Sequence, residues 1–226
     1  MNKIKKFLLL HFWLPLLALI SLSVVISIGN IDMRLADYVY SLQGHNWAWK
    51  SAWLLENVIH KGGRALSLLM ALLLLVVALA SFAVSVLSPF KKTLIFLFIA
   101  TAIGSILVSL LKSSLAVSCP WEFQRYGGDL VYASVIEQLF LRNGDGCFPA
   151  GHASAGYAWV SGYFVGLFYQ ARWRWWVLFS AIAVGTVFGF AQQLRGAHFI
   201  SHDLWTLAVC WFVSLCTYVL FFKKSI

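Results

Sequence analysis

Six apolar runs, at about 7–28, 65–87, 94–115, 153–170, 176–193 and 204–222, constrain this chain more than anything else in it. Crossing a hydrocarbon core about 30 Å thick takes roughly 20 helical residues. Inside a bilayer each backbone N–H and C=O has to be satisfied within the spanning structure. The runs therefore predict six transmembrane helices and an all-α integral membrane protein. The composition agrees, with 61% hydrophobic and 11% charged residues, where soluble domains carry roughly 45–50% and about 25%. No Gly/Ser or Pro-rich linker and no internal repeat divides the 226 residues, which predicts a single bundle over 1–226. The first run follows Lys3, Lys5 and Lys6, is longer than a signal-peptide core and has no small-residue cleavage site around residues 23–30, so it reads as a retained anchor.

Charge sorts the connections onto two sides. Lys3, Lys5, Lys6, Lys91, Lys92, Arg172, Arg174, Lys223 and Lys224 lie at the termini and in the turns at 88–93 and 171–175, without an acid among them; every Asp and Glu falls in the other set. The positive-inside rule then predicts cytoplasmic termini and a 117–152 loop on the outer, periplasmic face of a bacterial inner membrane. This asymmetry accounts for the net charge of +9 and asks for no nucleic-acid partner. Residues 30–64 carry Asp32, Arg34, Asp37, Lys50, Glu56, Lys61 and Arg64 together with Trp47, Trp49 and Trp53. That mixture predicts a short helix lying at the lipid interface, and most of the 11 tryptophans read as interfacial anchors.

Three polar constellations fall at the outer ends of spans: Lys112 with Cys119-Pro120, Pro149-Ala150-Gly151-His152, and Arg195-Gly196-Ala197-His198 with His202-Asp203. An ionisable residue at a span is costly unless it is paired or functional, so three groups at one depth predict a site. Pro149 suits a first helical turn, and Ala150 and Gly151 let backbone amides approach an anion closely. His152 stands where a proton can be given or taken. Each group also has a plainer reading: a polar helix-start histidine, a snorkelling Lys112, an interfacial Arg195. His198 and His202, four apart, would share a face if helical, and a zinc reading would add His152.

Taken together, the order Lys112, Pro149 to His152 and Arg195 to His202 resembles the type 2 phosphatidic acid phosphatase superfamily, the lipid phosphate phosphatases. The signatures of that family are Lys-x6-Arg-Pro, Pro-Ser-Gly-His and Ser-Arg-x5-His-x3-Asp. Lys112 and Pro120 match the first, with Cys119 at the arginine position. Pro149, Gly151 and His152 match the second, with Ala150 in place of serine. His198 matches the third histidine, with Gln192 at the arginine and His202 at the aspartate. The resemblance implies a six-helix bundle with its active site at the outer face, and hydrolysis of a phosphate ester or anhydride without metal or cofactor. It implies His198 as nucleophile, forming a phosphohistidine, and His152 as acid/base. Lys112, Arg125, Arg195 and the amides of Ala150 and Gly151 would hold the phosphate oxygens, the two arginines standing in for the missing guanidinium forks. His202, on spacing, or Asp203 beside it would orient His198.

Cys119 and Cys147 flank the outer loop. In an oxidising periplasm a bridge between them would contribute roughly 3–4 kcal/mol in the chain-entropy picture and tie the Lys112 end of the loop to the His152 end; two free thiols are the alternative. The preferred expectation is a cell-envelope hydrolase of lipid metabolism, acting within the bilayer on undecaprenyl pyrophosphate, phosphatidic acid, phosphatidylglycerol phosphate or a lipid A phosphate. A phosphotransferase using the same phosphohistidine is a close variant. The other class is a non-catalytic binder or transporter of anionic lipids whose site has decayed.

Overall fold

The computed structural model describes residues 2–223, so Lys224 of the C-terminal lysine pair lies outside the described residues. The described chain is helical, with no strand. We label the helices α1 (Lys3–Ile28), α2 (Ile31–Leu42), α3 (Leu54–Ala80), α4 (Lys91–Leu115), α5 (Val135–Leu141), α6 (154–168), α7 (Arg174–Leu194) and α8 (Ile200–Phe222). Among them α1, α3, α4, α7 and α8 are long and apolar enough to cross a membrane. The remaining apolar run, expected as a span at 153–170, folds as the shorter α6. Its three consecutive pieces hold 4, 3 and 8 residues, which at 1.5 Å each rise roughly 22 Å.

Helix α6 is enclosed by protein. Tyr157, Val160, Tyr163 and Phe164 are buried against Phe96 and Val108 of α4, Leu178 and Ala181 of α7, and Cys210, Leu215 and Tyr218 of α8. Lipid tails are as apolar as leucine, so such helices associate through close backbone approach at small residues. Gly156 of α6 and Gly185 of α7 supply it: a methyl group on Gly156 would overlap the Gly185 backbone, and one on Gly185 would overlap the Tyr157 ring. The outward faces of α1 and α3 are the opposite, exposing Leu17, Val25, Leu68, Leu72 and Val76 by about half or more.

Pro15 explains the docking of α1. It has no N–H to return to the His11 carbonyl, and that carbonyl instead accepts the Trp211 indole N–H at 2.9 Å. One wide turn over Leu9–Trp13 precedes the proline, and the His11 ring reaches the Tyr163 hydroxyl of α6 at 3.0 Å.

Helix α3 departs from the expected 65–87. It starts at Leu54, runs through wide turns over Leu54–Gly62 and stops at Ala80. Glu56 and His60, which look too polar to enter a span, are satisfied there by Arg195 and His152. The short helix of this stretch is α2, Ile31–Leu42, rather than the tryptophan segment. Trp49 and Trp53 are exposed, whereas Trp47 packs against Tyr40 and Tyr126 and lies on Gly196.

Antiparallel crossing gathers Lys92, Arg174 and Lys223 at one end of the bundle and Lys112, His152 and His198 at the other. At that second end residues 144–147 lie along 116–119: the Gly144 and Cys147 amides donate to the Ala116 and Val117 carbonyls at 2.9 and 2.6 Å. Cys119 and Cys147 are disulfide-bonded, with Cα atoms 5.2 Å apart.

Two outcomes follow from this packing. Gly185→Val should destabilise the protein by about 1–3 kcal/mol, read as a lower Tm in detergent than wild type and a Val184→Leu control on the lipid-facing side; an unchanged Tm would contradict the α6–α7 contact. Denatured without reductant, the protein should titrate only the thiols of Cys210 and Cys216, and all 4 cysteines after reduction.

Candidate active site

The backbone before α6 is stapled to α8. Ala150 N–H donates to the His202 carbonyl at 3.3 Å, and the Thr206 hydroxyl donates to the Ala150 carbonyl at 3.1 Å. The Ser154 hydroxyl donates to the Gly151 carbonyl at 2.6 Å. A Cβ on Gly151 would stand 3.4 Å from Lys112 Cδ and 3.9 Å from its Nζ, so the glycine lets the lysine amine lie against the backbone of the Pro149–His152 turn.

His152 follows from that turn with one ring nitrogen engaged and one not. Its Nε2 meets His60 Nε2 of α3, and its Nδ1 is buried without a partner. Burial first, then the neighbouring His60 ring and the positive charges of Lys112, Arg64 and Arg195, push its pKa down to about 3. His152 thus sits in the field of three cations, Lys112, Arg64 and Arg195.

His198 lies in the α7–α8 turn. Phe199 after it is extended and α8 begins only at Ile200, so His198 and His202 do not share a helical face; their ring centroids are 5.7 Å apart. The His152 and His198 rings are 6.5 Å apart. His198 is 3% exposed with Nδ1 unpartnered. Its pKa is held well below the usual imidazole value, first by burial and then by His202, Lys112 and His152, with the Cys147 carbonyl acting the other way.

His202 is fully buried edge-on to Phe148, at 5.3 Å between centroids, and neither of its ring nitrogens has a partner. Asp203 faces α7: Gln193 Nε2 donates to Oδ2 at 2.5 Å, and the carboxylate fills the space above Gly189. A buried polar atom left unsatisfied costs about 1–3 kcal/mol, and native structures keep few of them. Nδ1 of His152 and Nδ1 of His198 are both without a side-chain partner at this end of the bundle, with the Cys147 carbonyl near His198.

The structure thus brings Lys112, Gly151, His152, His198 and His202 together. It places Arg195 at the edge of this group, engaged with protein: Nε donates to the Lys50 carbonyl at 2.7 Å, Nη1 to Gln192 Oε1 at 3.0 Å, and Nη2 pairs with Glu56. It does not bring Arg125 there. Arg125 is 56% exposed and makes a two-pronged pair with Asp37 of α2 at 2.7 Å, which holds the Asp37 carboxyl below its usual range. The Ala150 amide is taken by His202.

Sequence reasoning missed Glu56, His60 and Arg64, and a signal for them existed. Spaced four apart, they fall on one face of a helix, which is the face α3 turns toward His152 and Lys112. Among the described residues the His, Cys, Asp and Glu side chains close enough to share a metal ion are Cys119, Glu122 and Cys147, and both sulfurs are already joined to each other.

Comparison with known proteins fits this geometry. The family model described as the PAP2 superfamily matches residues 92–226, which contain Lys112, His152 and His198 but not α3. No curated protein and no solved structure matches the chain. With more than half of its length matched, the chain belongs to the PAP2 superfamily.

Proposed function

We propose that this protein hydrolyses the phosphate monoester or pyrophosphate of a membrane lipid at the outer face of the bacterial inner membrane, α6 making the central and shortest of six crossings. The observation that carries the reading is the facing pair of His152 and His198, 6.5 Å between centroids, beside the Lys112 amine. Two imidazoles at that separation, His198 buried and His152 half-buried, can both reach one phosphoryl group, on the attacking and leaving sides of phosphorus.

In this mechanism His198 Nε2 attacks phosphorus, the P–O bond to the lipid breaks, and His152 Nδ1 gives its proton to the leaving oxygen. Water then attacks the phosphohistidine while His152 takes the proton back, and phosphate leaves. Lys112, Arg64 and the Gly151 amide hold the equatorial oxygens, where charge shifts in the transition state. The route needs no metal. Of the two residues considered for orienting His198, His202 has its ring beside it, whereas Asp203 is turned to Gln193. A lipid substrate is supported by the apolar groove between α1, α4 and α8, lined by Leu19, Leu107, Trp205, Val209 and Leu220. Phe148 connects it to the site, touching both Trp205 and His202.

The first test is phosphate release by purified protein from phosphatidic acid, phosphatidylglycerol phosphate, a lipid A phosphate and undecaprenyl pyrophosphate. Turnover of at least one is expected, with His198→Ala near background and His152→Ala slower by about 10²–10⁴-fold. Binding of these lipids without release would favour the anionic-lipid binder. A second test is pH. With its pKa pushed down to about 3, His152 is neutral at working pH, so its catalytic proton arrives with the substrate. A phosphate monoester loses its second proton near pH 6, and only the monoanion carries that proton in. Hence kcat/KM on a monoester should be greatest below about pH 6 and fall about tenfold per unit above it; a flat profile between pH 5 and 9 would contradict this proton route.

A further inference from the structure

Helix α3 lies outside the residues that define the family, yet it presents a third histidine to the site. His60 Nε2 meets His152 Nε2, while His60 Nδ1 lies 3.1 Å from Glu56 Oε2 and 2.9 Å from Arg195 Nη1. The proton on Nδ1 belongs with Glu56. A carboxylate oxygen beside a bare ring nitrogen would be repulsive; Arg195 Nη1, which has two hydrogens and accepts none, gives one to Gln192 Oε1 at 3.0 Å and lies against the ring edge with the other. His60 is thereby fixed with its Nε2 lone pair toward His152, and the proton between the two rings sits on His152 Nε2. The free nitrogen of His152 is then Nδ1, the one with no protein partner.

We propose that Glu56 and His60 are positioning residues for His152, setting its tautomer and supporting the protonated ring that delivers a proton to the leaving oxygen. When His152 Nδ1 takes up a proton, its Nε2–H bond to His60 strengthens, and the new charge is balanced through His60 by the Glu56 carboxylate. Glu56 Oε2 takes both Arg195 Nη2 and His60 Nδ1, and Lys61 lies 3.1 Å from Oε1, so the carboxylate is fixed in place beside His60. The surrounding cations, Lys112, Arg64 and Arg195, all oppose a charged His152, and Glu56 is the acid that this chain of hydrogen bonds reaches. No covalent chemistry is assigned to either residue.

This inference rests on the phosphatase reading, and its test separates the two. Wild type, His60→Ala and His60→Gln are compared on a lipid phosphate, whose alkoxide leaving group needs a proton, and on p-nitrophenyl phosphate, whose phenolate does not. The quantity read is kcat/KM, which covers formation of the phosphohistidine and not its hydrolysis. His60→Ala should lower kcat/KM on the lipid phosphate about 10–100-fold while changing p-nitrophenyl phosphate by less than about threefold. His60→Gln, whose carbonyl can accept from His152 Nε2–H, should recover part of the loss. Equal losses on both substrates, or no loss on either, would overturn the positioning role while leaving the phosphatase reading intact. Failure of the wild type to release phosphate from either compound would overturn both.

Discussion

The ion pair between Arg195 and Glu56 is the contact on which this end of the molecule depends. Both charges sit where lipid would otherwise press, and an unpaired charge at a span is expensive. Arg195 reaches Glu56 from the end of α7 while donating to the Lys50 carbonyl and Gln192, and Glu56 also receives Lys61 and His60. Three segments that share no sequence neighbourhood, 50–61, 192–195 and the turn at His152, are thereby held at one depth. The pair also explains where α3 begins. With Glu56 neutralised by a neighbour, the helix can run eleven residues farther out than its hydrophobicity alone permits, and its polar face then closes the site.

The bundle interior supplies the second requirement, a fixed origin for His152. Helix α6 carries that histidine just before its first turn and is enclosed on several sides, with its polar groups met by protein: Thr101 reaches the Ser161 hydroxyl at 2.8 Å, Ser67 donates to the Ala155 carbonyl at 2.9 Å, and His11 meets Tyr163 at 3.0 Å. Gly156 and Gly185 bring α6 against α7 with no side chain between them. A tight turn over Ala158–Val160 is tolerated for the same reason, since irregular helix at membrane depth is acceptable where protein covers it. The outward faces of α1 and α3 are the contrast, carrying leucine and valine side chains that are exposed by about half or more.

How far the sequence could be read depends on whether a signal was local. The long apolar helices, the basic turns and the Lys112, His152 and His198 positions are each carried by a stretch that speaks for itself, and α4 at Lys91–Leu115 and α7 at Arg174–Leu194 lie within a few residues of the expected 94–115 and 176–193. What misled is pairwise. Glu56 and His60 look like interfacial residues until Arg195, more than 130 positions away, is placed against them. Arg125 looks like a phosphate ligand until Asp37 is found in its grip. Trp47 looks like a lipid anchor until Gly196 is seen beneath it. Charge and aromatic character can be read off a residue, but the partner that decides its use cannot.

The departures from the family signatures acquire a physical sense once those partners are known. Cys119, at the arginine position of the first signature, forms the disulfide that clamps residues 144–147 onto 116–119 and so brings the Cys147 carbonyl beside His198. Ala150, at the serine position, needs no hydroxyl because its amide and carbonyl are both engaged by α8. Gln192, at the arginine position of the third signature, accepts from Arg195 one turn later, so a guanidinium is still attached at that point of the fold, though it faces Glu56 and His60. His202, at the aspartate position, is sealed between Phe148 and Phe199 with its rim toward His198. Cys119, Ala150 and Gln192 are thus each engaged with neighbouring protein groups. Glu56 and His60, which meet Arg195 and His152, come from α3, a helix outside the residues 92–226 that the family model matches.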